Sequence, residues 1–236
     1  MNEITFSIDG KACSARPGQT IVEAARANGV YIPTLCNYEG LRPVGSCRIC
    51  TVRSGGRYMA SCTQIVLEGM AIENAVPDLE DMRRAIIEML FVSGNHLCPS
   101  CEKSGNCELQ ALAYRYQMLA PRFPYLWPVR AVDAAAPLIM LDRNRCIQCL
   151  RCVRGIRSKD GRKVFASVNR GCRVKIEVDL KLAARLSEED ARRAMDSCPV
   201  GAILRKERGF ALPIGQRKFD HAPIGSDLAK GSGGRP

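Results

Sequence analysis

Apolar side chains occupy alternate positions in ITFSI and KACSAR, on either side of Asp9-Gly10, a strong two-residue hairpin signal. The period then changes to a helical one in TIVEAARANG. Thr20 caps this helix, Glu23 completes a capping box and Gly29 ends it. CRICTVRSGGRYMASC predicts a second hairpin turning at Gly55-Gly56, with cysteines at both ends. Pro77-Asp78 opens a longer helix, DLEDMRRAIIEMLFVSG, which Gly94 stops. Its stripe of Leu79, Met82, Ile86, Met89 and Leu90 is expected to face the core rather than a ligand. ELQALAYRYQMLA, after Cys107, is again helical and amphipathic. Pro121, Pro124, Pro128 and Pro137 then interrupt a linker that carries the single tryptophan, Trp127. Its aromatics are expected to pack on the adjoining domains, with a docking role as the alternative.

Beyond Leu141, KVFASVN and RVKIEVD are expected to pair around Gly171, and Ser187 to cap SEEDARRAM, which leads into Cys198-Pro199. Periodicity fades after about residue 208. PIGQRKFDHAPIG is too apolar and proline-rich to fold alone and is expected to lie on a partner subunit, whereas GSGGRP is expected to be disordered. The chain thus divides into residues 1–77, 78–120, a linker 121–140, 141–208 and a tail 209–236. The fold class is α+β.

Domains this small seldom stabilise themselves by core burial alone and usually need staples such as metals. Cysteines could supply these. The start, MNEITFSIDG, has no apolar signal core or twin arginine, and no stretch approaches the roughly 20 apolar residues of a membrane span. A soluble cytoplasmic protein is expected, and there clustered cysteines read as metal or redox sites rather than disulfides.

Eleven of the thirteen cysteines fall into three groups. The first is Cys36, Cys47, Cys50 and Cys62, spaced C-x10-C-x2-C-x11-C. Following a strand–strand–helix start, it favours a β-grasp 2Fe–2S domain, with zinc as the alternative. Zinc sites usually pair two CxxC knuckles, and only Cys47 and Cys50 form one here. The second group is Cys98, Cys101 and Cys107, preceded by His96. A lone histidine is usually structural. This one, of two in the chain, lies two residues from three cysteines that lack a fourth ligand, and is read as that ligand to a 4Fe–4S cluster.

The third group is Cys146, Cys149, Cys152 and the distant Cys198. A two-cluster bacterial ferredoxin carries two copies of C-x2-C-x2-C-x3-C-P, and the fourth cysteine of each copy ligates the other cluster. Here the corresponding fourth position of the first copy is Ile156, and the first three of the second are Glu188, Ala191 and Ala194. The four lost ligands belong to one cluster and the four survivors to the other. The pattern reads as a duplicated ferredoxin with one 4Fe–4S cluster kept and one erased. Cys13 and Cys172 fit no group; Cys13, on a predicted strand, reads as a small buried hydrophobe.

The formal charge of +11 counts every cysteine as neutral. Two 4Fe–4S clusters and one 2Fe–2S cluster on these ligands would bring it to about +6. Arg143, Arg145, Arg151, Arg154, Arg157, Arg162 and Lys163 surround the third group, offsetting thiolate charge or forming a solvated basic face. The stretch from Arg143 to Arg162 has no aromatic residue, which argues against a nucleic-acid surface. No G-x-G-x-x-G follows a strand and there is no P-loop. With no catalytic residues to assign, substrate chemistry is expected on other subunits. The competing class is a zinc- or cluster-stapled nucleic-acid-binding protein.

At these motifs the chain resembles a known family. A β-grasp 2Fe–2S domain, a histidine-plus-three-cysteine 4Fe–4S domain and a ferredoxin-like domain occur in this order in the peripheral-arm iron–sulfur subunit of complex I. The N-terminal region of iron-only hydrogenases and some NAD-linked formate dehydrogenases share the order. Those chains usually continue into a large further domain. A shorter version is similar to the iron–sulfur subunits of the diaphorase half of NAD-reducing nickel–iron hydrogenases, on the strings VYIPTLC, NHLCPSCEKSGNCELQ, RFPYLWPVR, CPVGAIL and PIGQRKFD. The resemblance implies an electron relay between a flavin- and NAD-binding diaphorase subunit and the small and large hydrogenase subunits. A formate dehydrogenase or complex I-like module is the alternative partner. The wider family has histidine four positions before its first cysteine; here the spacing is H-x-C. Residues i and i+2 of an extended segment lie about 6–7 Å apart, so both can reach one cluster.

Overall fold

A computed structural model describes residues 3–228. Strands β1 (Ile4–Ile8) and β2 (Lys11–Ala15) form the expected hairpin, with Asp9 and Gly10 at φ of 50° and 78°. Positive φ at both turn positions gives the twist that antiparallel strands require. Helix α1 (Ile21–Ala27) starts at the anticipated capping box: the Thr20 hydroxyl accepts from the Glu23 amide, and the Glu23 carboxylate from the Thr20 amide at 2.8 Å. Strands β3 (Thr51–Ser54) and β4 (Arg57–Ala60) turn at Gly55-Gly56. β5 (Ala71–Ile72) adds to β1 in parallel, giving the order β2-β1-β5. At two residues it is too short to show a period. Cys13 is 5% exposed in the core beneath this sheet.

Helix α2 (Pro77–Val92) forms, but its buried face is rotated from the apolar stripe. Leu79, Arg83, Ile87, Glu88 and Phe91 are buried; Ile86 and Leu90 pack at the margin, and Met89 is exposed. Two charges displace the methionines because their partners wait on the inner side. Arg83 donates to the carbonyls of Thr51 and Asn74 at 2.9 and 2.8 Å, tying α2 to β3. Glu88 accepts from Arg122 at 2.9 Å. Helix α3 (Glu108–Arg115) is shorter than its amphipathic pattern, because Gln117 turns left-handed at φ 52°.

After the short strand β6 (Val132–Asp133), the last domain repeats one unit. β7 (Ile139–Asp142), α4 (Arg151–Gly155) and β8 (Phe165–Val168) are followed by β9 (Lys175–Val178), α5 (Leu180–Ala183), α6 (Glu188–Ser197) and β10 (Ile203–Arg205). β7 pairs antiparallel with β10, and β8 with β9. Ser187 and Asp190 form a capping box at α6. The domains are not separate globules. A shared apolar core runs from Leu35 and Ile49 through Ile87 and Leu112 to Ile139, Phe165 and Ala194, beside a second core of Phe6, Ile21, Val52 and Val66 in the N-terminal domain.

The expectation for the linker is also corrected. The linker aromatics do not bury: Trp127 is 62% exposed and stacks on Tyr125 at 4.8 Å. The linker backbone makes the contacts instead, Leu126 N–H donating to Val92 at 3.0 Å and Asn95 to the Pro128 carbonyl at 2.6 Å. The tail, as far as residue 228, also makes contacts with its own chain. Phe219 N–H donates to the Gly105 carbonyl at 2.9 Å, Lys218 N–H to Asn106 at 2.9 Å, and Arg115 to the Ile224 carbonyl at 2.8 Å. GSGGRP falls outside the described residues. Among those residues, no helix is long and apolar enough to cross a membrane.

Candidate metal centres

The first group is assembled by two loops. The Cys36 amide faces Cys47 Sγ at 3.4 Å, and the Cys47 amide faces Cys36 Sγ at 3.5 Å. Cys50 and Cys62 flank the β3–β4 hairpin and are almost fully buried. Hydrogen bonds between the thiols divide the set: those from Cys47 and Cys62 pull Cys36 far down, and that from Cys62 brings Cys50 to about 6. Cys47 and Cys62 are correspondingly raised.

In the second group His96, Cys98, Cys101 and Cys107 line one cavity with Phe91, Leu109, Gln110, Arg145 and Gly201. His96 Nε2 is buried without a hydrogen-bond partner. Burial, opposed in part by the Leu90 backbone, lowers the His96 pKa to about 4, so the ring is neutral as a metal donor must be. Burial pushes Cys107 up to about 12, and the Gln110 amide faces its sulfur at 3.4 Å. Two glycines, Gly201 in the cavity wall and Gly94 beside His96, leave no room for a side chain. A Cβ at Gly94 would stand 2.6 Å from His96 Nε2, and one at Gly201 would stand 2.5 Å from Cys101 Sγ.

Cys146 and Cys149 lead into α4, which carries Cys152, and Cys198 caps the end of α6. Gln148 and Leu150 take left-handed φ of 54° and 60°, which wraps the loop around this group. Burial pushes Cys146 to about 11 and Cys149 to about 12, and raises Cys152 well above its ordinary value. Of the four positions read as lost ligands, Ile156, Ala191 and Ala194 lie in the apolar core. Glu188 faces solvent and pairs with Arg205. Cys172 is exposed.

The donors border spaces rather than meet at a point. Among the described residues, no three His, Cys, Asp or Glu side chains are close enough to share one metal ion. The orphaned imidazole, the glycine-lined cradle and the all-sulfur sets fit iron–sulfur groups. The surrounding cations are less uniform than the sequence implied. Arg143 is buried against β9, donating to the Ile176 carbonyl at 2.8 Å. Arg145 reaches the second group, 3.5 Å from Cys101 Sγ. Arg157, Arg162 and Lys163 are solvated. Propensity gives no signal for Arg145, Gln148 or Leu150, whose roles depend on chain segments brought together only in the fold.

Three family descriptions match in order: a 2Fe-2S iron-sulfur cluster binding domain at residues 1–77, the NADH-ubiquinone oxidoreductase-G iron-sulfur binding region at 83–122, and the ferredoxin-like domain of NADH-quinone oxidoreductase subunit 3 at 136–204. The chain is 48% identical to the gamma subunit of the NAD-reducing hydrogenase HoxS of Cupriavidus necator, over 92% of its own length and 93% of that protein's. It is 34% identical to the mitochondrial NADH-ubiquinone oxidoreductase 78 kDa subunit of Neurospora crassa over 88% of this chain, a match that spans only 28% of that protein. A crystal structure of an NAD+-reducing NiFe-hydrogenase in the H2-reduced state contains a chain that superposes with a TM-score of 0.86 at 42% identity, covering 93% of this chain and 94% of that one. The chain belongs to the family of iron–sulfur proteins that includes the HoxS gamma subunit.

Proposed function

We propose that this chain is the electron-transfer subunit of a cytoplasmic NAD-reducing nickel–iron hydrogenase. It relays single electrons between a flavin- and NAD-binding diaphorase subunit and the small subunit of the hydrogenase, whose large subunit handles hydrogen. The observation that carries this reading is the near end-to-end correspondence with the HoxS gamma subunit, over 93% of that protein's length. The cysteine and histidine sets give it chemical content.

In this reading Cys36, Cys47, Cys50 and Cys62 hold one 2Fe–2S cluster. His96, Cys98, Cys101 and Cys107 hold one 4Fe–4S cluster, and Cys146, Cys149, Cys152 and Cys198 hold another. When bound, such clusters supply one-electron redox chemistry. The chain's own residues set the conditions for it. His96 contributes a neutral nitrogen where a fourth cysteine would add negative charge. The Arg145 guanidinium and Gln110 amide point donors at Cys101 and Cys107, which favours the more negative, reduced state. Apolar packing of Ile156, Ala191 and Ala194 supports the loss of a second ferredoxin site.

The test is native purification with identification of the bound subunits, followed by NAD+ reduction with hydrogen or formate as donor. Hydrogen-dependent reduction with diaphorase and hydrogenase subunits bound is the expected result. Formate-dependent reduction, or a quinone-linked module in their place, would redirect the reading.

A further inference from the structure

Helix α4 begins just after Cys149 and carries two arginines one turn apart, Arg151 and Arg154, on either side of Cys152. Their side chains leave in different directions. Arg154 Nη2 donates to the Cys36 carbonyl at 2.6 Å and faces the Cys149 carbonyl at 3.4 Å. Its Nη1 donates to the Arg42 carbonyl, and its Nε to Leu150 at 3.2 Å. One guanidinium therefore joins the loop of the first group to the loop of the third. Beside it, Gly155 lies so close that a Cβ there would stand 3.3 Å from Leu41.

Arg151 is 1% exposed and turns toward the second group. It forms a two-pronged pair with Glu108, at 2.8 and 2.7 Å, and Glu108 directly follows Cys107. Nη1 also lies 3.5 Å from the carbonyl of Ser197, which precedes Cys198. The planar fork of arginine suits both tasks, since lysine offers no comparable spread of donors. The two differ in charge balance. Arg151 is paired with Glu108, whereas no carboxylate among the described residues pairs with Arg154. All the acceptors of Arg154 are carbonyls, so its positive charge stands between two thiolate sets.

We infer that Arg154 and Arg151 are positioning residues that fix the third cysteine group against its two neighbours, Arg154 against the first group and Arg151 against the second. The inference rests on the ligand sets proposed above. Electron exchange between separate centres depends on their separation and relative potentials. Arg154 acts on both, through a bridge of hydrogen bonds and an uncompensated charge. Arg151 makes the corresponding bridge to the second group, with its charge paired to Glu108.

The test uses the intact complex carrying Arg154→Met, Arg154→Lys or Arg151→Met. It reads iron and sulfide content, midpoint potentials, and the EPR broadening that arises when two neighbouring centres are both reduced. Arg154→Met is expected to keep wild-type iron, lose broadening between the first and third centres, and lower both of their potentials. Arg154→Lys is expected to lose the same broadening but retain the potentials, because charge survives and the bridge does not. Arg151→Met should spare the first–third broadening and reduce that between the second and third. Should Arg154→Met lose iron, Arg154→Lys carries the test alone. Wild-type broadening in both Arg154 variants, or equal changes at all three centres, would overturn the inference. Wild-type protein without iron would instead overturn the ligand sets on which it rests.

Discussion

Gly201 and Cys101 meet across two domains: a Cβ on the glycine would stand 2.5 Å from the cysteine sulfur. The turn after Cys198-Pro199 thus forms one wall of the second group, although it belongs to the last domain. Gly201→Ala should displace Cys101 and cost roughly 1–3 kcal/mol in overpacking. The second group's 4Fe–4S cluster should be lost selectively, lowering iron from about ten to about six per chain. Iron analysis and EPR of the variant check this; wild-type iron would show that the cavity yields.

His96→Cys tests the imidazole directly. A fourth thiolate adds a negative charge, so the variant should keep a 4Fe–4S signal and show a lower midpoint potential. A redox titration followed by EPR reads the shift. An unshifted potential would count against His96 as a ligand.

Arg83 is 2% exposed and donates to two backbone carbonyls and the Asn74 amide oxygen. Arg83→Met keeps much of the volume but leaves those buried acceptors unpaired. A stability loss of roughly 3 kcal/mol is expected from chemical denaturation of the holoprotein. A loss under about 0.5 kcal/mol, the scale of an ordinary surface substitution, would deny Arg83 this role.

The tail carries its own pH signature. Asp220 accepts the amides of Gly215 and Arg217 and the Arg217 guanidinium, which holds its carboxyl well below the usual carboxylate range. A depressed carboxylate stabilises fully above its unfolded pKa, about 3.9, and loses that contribution only as pH falls through the lower folded value. Tail docking should therefore persist at pH 4. Protection of the Phe219 amide, which donates to Gly105, reads it by hydrogen exchange. Asp220→Asn should expose that amide at pH 7 as well as at pH 4.

The sequence made the local elements legible wherever a local rule governs. Asp9-Gly10, the Thr20–Glu23 box and the Ser187–Asp190 box stand where the pattern put them. It was less informative where distant segments decide. The α2 stripe pointed to Met82 and Met89, but Arg83 and Glu88 turn inward to partners at Thr51, Asn74 and Arg122. Trp127 looked like a packing residue and faces solvent, because the linker is held by its backbone. Cysteine spacing separated the three groups. It carried no sign of Gly201 facing Cys101 or of Arg154 reaching Cys36, contacts between segments far apart in sequence.

Iron, acid-labile sulfide and zinc determined together on the anaerobically purified chain test the central claim most directly. One 2Fe–2S and two 4Fe–4S clusters require about ten iron and ten sulfide per chain, with zinc near zero. Stoichiometric zinc with little iron would contradict the electron-relay account.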